Sequence, residues 1–72
     1  MPDLAEAHYV RGRLQADSGK PEAALASLRR AVELDLHNQA AWLALAEVYR
    51  NLGRGDEFRA FSMEHAVPDD HQ

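Results

Sequence analysis

Apolar residues recur at helical spacing along most of the chain, and Gly or Pro interrupts them at regular intervals. Leu25, Leu28 and Val32 stand at i, i+3 and i+7 with Ala24 and Ala31 beside them, which makes one apolar face of a helix. A second stripe runs through Trp42, Leu45, Ala46, Tyr49 and Leu52. Between and around these stripes the pattern predicts four helices. The first starts at Asp3, which can cap its first turn, with Glu6 placed to complete a capping box. It ends before Gly19. Pro21 opens the second, where a missing N–H costs nothing. The stretch "DLHN" breaks the periodicity, and Asn38 can cap the third helix. Gly53 and Gly55 end that one. A shorter fourth helix is expected from about Asp56 to Ala66, before Pro68 and a frayed "PDDHQ" tail. Short connections make successive helices antiparallel neighbours, so the expected class is all-α.

Composition agrees with this reading. Alanine is the commonest residue and β-branched residues are few, which favours helix over strand. The net charge is −4 with both signs mixed along the chain, and Lys20 is the one lysine among scattered arginines. A nucleic-acid-binding surface would cluster its cations, so none is expected. No apolar run approaches the roughly 20 residues of a membrane span, and no membrane association is expected. The start of the chain does not read as a signal peptide. The lack of cysteine fits a reducing compartment, and a cytoplasmic location is expected.

The two halves echo each other at an offset of 34 residues. Gly19 pairs with Gly53, Ala7 with Ala41 and Ala26 with Ala60, while Leu14/Val48, Lys20/Arg54, Glu22/Asp56 and Asp17/Asn51 match in kind. That period belongs to helix–turn–helix repeats. "WLALAEVY" carries Trp42, Leu45, Ala46 and Tyr49 at the spacing W-x2-L-[GA]-x2-Y, and Ala24, Leu28 and Ala31 fit A-x3-[large]-x2-A. With these two motifs in the register that one period demands, residues 5 to about 67 resemble the tetratricopeptide repeat family. The resemblance implies two helical hairpins stacked as a right-handed α-solenoid fragment. It also implies a layout of N-terminal cap (1–4), first repeat (5–38), second repeat (39–67) and tail (68–72).

The outer helices depart from the pattern. The first has His8, Arg11 and Gln15 where Trp, Leu and Tyr are usual and keeps only Gly12; the fourth has Phe58, Ser62 and His65 where Ala, a large residue and Ala are usual. Terminal elements lack a neighbour on one side, so such erosion is expected of them. Two repeats are fewer than the three a stable array usually needs, and no capping helix follows Val67. In the fourth helix Phe58 and Phe61 form one stripe and Ala60, Met63 and Val67 another, and only one stripe can face inward. Some of Phe61, Met63 and Val67 are therefore expected to be exposed as a self-association patch. Three readings fit: a homo-oligomer joined through this helix, a segment of a longer array, and a lone domain of marginal stability.

Catalytic signatures are weak. His8, His37, His65 and His71 form no H-x3-H pair for zinc, and Ser18, Ser27 and Ser62 are the only hydroxyl nucleophiles besides tyrosine. "DSGK" lacks the phosphate-loop pattern and follows a helix, so it reads as a hairpin turn. Asp56 and Glu57 suit a helix N-terminus. No enzyme activity, cofactor or metal is expected. The family resemblance implies a non-enzymatic protein-interaction scaffold that binds a protein or peptide partner along the concave face of its first-of-pair helices. Carried over to this sequence, the groove residues are Glu6, Tyr9, Arg13, Asp17, Leu43, Glu47, Arg50 and Asn51. The Lys/Asn carboxylate clamp of chaperone-tail binders is not expected, because its positions hold Tyr9, Arg13 and Ala44.

Overall fold

A computed structural model of the chain describes residues 4–65. The Asp3 cap, Ala66, Val67 and the tail lie outside that range. Within it the chain forms α1 (Leu4–Asp17), α2 (Pro21–Leu34), α3 (Gln39–Asn51) and α4 (Gly55–His65), and no strand. Both hairpin turns are built the same way. Gly19 and Gly53 sit at φ 76° and 71°, which a side chain would strain. Gly19 N–H donates to Ala16 O at 3.2 Å and Lys20 N–H to Gln15 O at 2.9 Å; Gly53 N–H donates to Arg50 O and Arg54 N–H to Tyr49 O, both at 2.9 Å. This pair of bonds closes each helix end and satisfies its last carbonyls.

The inter-hairpin turn uses side chains instead. His37 N–H donates to Asp35 Oδ1 at 3.1 Å, and Asn38 Oδ1 accepts from Ala41 N–H at 3.1 Å, which caps α3 as its sequence suggests. Trp42 Nε1–H donates to Leu36 O at 2.9 Å and ties α3 to the turn before it.

α2 packs on both α1 and α3, and α4 closes on α3. The α1–α2 approach is the closest, and Gly12 is the reason. A Cβ there would lie 2.5 Å from Leu28 Cγ and 2.7 Å from Leu28 Cδ2. Across the 34-residue offset Ala46 takes the place of Gly12, and aromatic rings fill the wider α3–α4 seam. Trp42 meets Phe58 edge-on at 6.2 Å and Phe61 at 5.7 Å, and Tyr49 lies 5.8 Å from Phe58. Ala24, Leu28, Ala31, Leu45 and Tyr49 form one buried core, with Trp42 packed against it on the α4 side.

One expectation needs correction. Phe61 is 5% exposed and belongs to the core. α4 is rotated so that Phe61 lies against Trp42, under the Arg29 guanidinium (5.0 Å to the ring centroid) and stacked on His65 at 4.2 Å. Both phenylalanines therefore serve the core, and Phe61 is no part of an exposed patch. Met63 does point outward, 74% exposed. The larger exposed apolar surface is on α1, where Leu4, Val10 and Leu14 are 64%, 46% and 62% exposed.

Polar contacts lock the two hairpins at their edges. Arg54 Nη1 donates to both Glu22 carboxylate oxygens (3.0 and 2.9 Å), while its Nε and Nη2 donate to Glu57 (2.9 and 2.7 Å). At the far end His65 Nε2 lies 3.4 Å from Glu33 Oε2.

Candidate partner-binding surface

α1 and α3 lie side by side on one face of the molecule, and the side chains between them form a groove. One part, about 230 Å³, is lined by Tyr9, Arg13, Ala40, Leu43, Ala44 and Glu47. The adjoining part, about 200 Å³, runs past Ala16, Asp17, Val48 and Asn51 with Leu28 at its floor. Arg13, Ala44 and Glu47 belong to both, so the two parts are continuous. The spacing explains this layout. Tyr9, Arg13 and Asp17 are four apart on α1, and Ala40, Leu43, Ala44 and Glu47 follow i, i+3, i+4, i+7 on α3. Small residues form the floor, and longer ones stand at the rim.

Six of the eight groove residues expected from the sequence meet here: Tyr9, Arg13, Asp17, Leu43, Glu47 and Asn51. Glu6 and Arg50 are exposed but line neither part. Ala16, Ala40, Ala44 and Val48 line the groove as well, outside the expected set. Extending the same helical faces by one small position would have found them.

Arg13 is the electrostatic centre of the groove. Its Nη1 donates to the Tyr9 hydroxyl at 2.9 Å. That bond raises the guanidinium pKa, with the Asp17 and Glu47 carboxylates adding to it, so Arg13 remains a cation at any relevant pH. One cation is thus flanked by two carboxylates. Tyr9 is half-buried against the core, whereas Leu43 is 71% exposed at the opposite rim. The groove offers an apolar contact at one end and both hydrogen-bond donors and acceptors along its length. It holds no nucleophile paired with a base. Among the described residues no group of three or more His, Asp or Glu side chains could hold a metal ion, and no helix is long and apolar enough to cross a membrane.

A second depression, about 330 Å³, lies on the opposite side of α1 and includes Val10, Leu14 and Lys20. No expected site residue belongs to it.

Comparison with known proteins gives one finding. The family model described as tetratricopeptide repeat matches residues 15–62, from within α1 to within α4. No curated protein and no solved structure matches the chain.

Proposed function

The chain belongs to the tetratricopeptide repeat family, whose members generally serve as protein-interaction modules, and from that premise we propose that its α1/α3 groove binds an extended segment of a partner protein. The observation that carries this reading is the continuity of the groove. Two helices from different hairpins contribute to it, so a ligand there would touch both repeats. An apolar side chain of the ligand would sit between Tyr9 and Leu43, since aromatic and well-packed apolar anchors dominate interface energies. Arg13, Glu47 and Asn51 would fix its direction and register. A groove two repeats long buries little surface, so weak, exchanging binding is expected.

The test is selection of peptides on the immobilised chain from a random display library, followed by titration of the selected peptides against variants. Leu43→Ala removes an exposed side chain and leaves the helical circular dichroism intact; it is expected to weaken binding about fivefold or more. Glu47→Lys is expected to change which peptides are selected. Peptides that bind both variants as they bind the parent would remove the groove from consideration. The alternative of self-association through α4 loses Phe61 to the core and keeps Met63, while Val67 lies outside the described residues.

A further inference from the structure

The depression on the outer side of α1 is distinct from the groove. Its lining occupies the positions, one period back, of a surface that this chain already covers. Ala7, Val10, Leu14 and Lys20 stand 34 residues before Ala41, Ala44, Val48 and Arg54. On α3 those three apolar residues are buried, at 0%, 8% and 6% exposure, in the core that α2 completes. Arg54 holds Glu22, in the first turn of α2, at 2.9 Å. On α1 the same positions are open. Val10 and Leu14 are exposed, the depression measures about 330 Å³, and no ion pair is formed by Lys20 among the described residues. Arg11, also exposed, stands where α3 has Leu45, so the depression carries two cations and no acid.

We propose that this face of α1 binds an amphipathic helix of a partner protein, lying on α1 as α2 lies on α3. Its apolar side carries small and leucine-sized residues, and its first turn carries a carboxylate that pairs with Lys20. Apolar fit selects this occupant over a second copy of the chain. The helix that a second copy would offer is α4, whose Asp56 stands in place of Glu22 and would meet Lys20, but Arg59 stands in place of Leu25 and Ser62 in place of Leu28. That face lacks the leucines that fill the depression and would set Arg59 as a third cation beside Arg11. Pairing α1 with α1 of a second copy would gather four cations around Val10 and Leu14. Like charges brought together in this way disfavour association.

The probe is the chain's own α2 sequence, residues 20–36, made as a peptide held helical by a staple on its exposed side. In the intact protein the matching face of α3 is already covered, so the free site for this peptide is α1. Titration into the isotope-labelled full chain is expected to shift the amide signals of Ala7, Val10, Leu14 and Ser18 saturably. Leu14→Glu is expected to lower affinity tenfold or more, roughly the effect of losing one buried leucine contact. Lys20→Glu is expected to lower it by up to about fivefold, the range of an exposed ion pair. A peptide with Lys in place of Glu22 should recover that loss on the Lys20→Glu chain. Leu43→Ala should leave helix binding unchanged, which separates this site from the groove. Shifts confined to the groove or to α4, or no saturation at millimolar peptide, would overturn the proposal. So would a concentration-dependent mass of the chain alone that Leu14→Glu abolishes, because the occupant would then be a second copy.

Discussion

Gly12→Ala is a one-carbon change with opposed effects. In a helix interior alanine is favoured over glycine by about 1 kcal/mol. Here the added methyl would lie 2.5 Å from Leu28 Cγ and 3.3 Å from the Leu28 backbone N. Leu28 is 0% exposed and held by both α1 and α3, so it has no free rotamer to escape into. Overpacking of this kind costs about 1–3 kcal/mol, and contact this short with an immobile neighbour belongs at the upper end. The net loss is about 2 kcal/mol. Unfolding entropy of about 2.1 cal/mol/K per residue gives ~0.15 kcal/mol/K for the chain, so the midpoint should fall by about 13 °C. Thermal unfolding followed by circular dichroism reads this directly. Gly55→Ala is the control: nothing lies within 4 Å of its added methyl, and it should be neutral or slightly stabilising. Combining Gly12→Ala with Leu28→Ala should cost less than the sum of the two, since the methyl enters the space that the leucine leaves. A Gly12→Ala chain as stable as the parent would refute the close α1–α2 approach.

Phe61→Ala should cost about 3–5 kcal/mol, as loss of a buried phenylalanine does, and unfold much of the chain at room temperature; a folded variant with altered solution mass would contradict its core placement. Asn38→Ala removes the α3 cap and should cost about 1 kcal/mol by chemical denaturation. Arg54→Ala should lower the thermal midpoint at low salt, and the difference from the parent should shrink as salt rises, since the ion pairs are exposed. Hydrogen bonding to Arg54 holds the Glu57 carboxyl below the usual glutamate range. A carboxyl depressed in the folded state stabilises above its unfolded pKa and loses that contribution as pH falls through the folded one. Glu57→Gln should therefore destabilise at pH 7 and converge with the parent in acid.

The helix count and turns were legible because their causes are local. Gly19 and Gly53 mark positions with φ values that other residues rarely adopt, Pro21 suits a first turn, and Asn38 is a ready-made cap. The α2 and α3 stripes were legible because each helix has one dominant apolar face. α4 was not, because Phe58/Phe61 and Ala60/Met63 offer two faces. Its rotation is set by Arg29, Glu33 and Trp42 on other helices, which a one-dimensional pattern does not display. The rim of the groove followed from family register, and its alanine floor did not, because alanine carries little signal in an alanine-rich chain. Leu14 was legible as the echo of Val48, yet its exposure was not, because it depends on which helices pack beside α1, and none of α2, α3 and α4 covers that side among the described residues.

The nesting of α2 between α1 and α3 underlies both surfaces, and Leu28 sits at that junction, in contact range of Gly12 and on the floor shared with Ala44 and Val48. Nuclear Overhauser spectroscopy of the methyl-labelled full chain tests it most directly. Cross-peaks are expected from the Leu28 methyls both to the Gly12 α-protons and to the Ala44 or Val48 methyls. Cross-peaks to one hairpin alone would contradict the account.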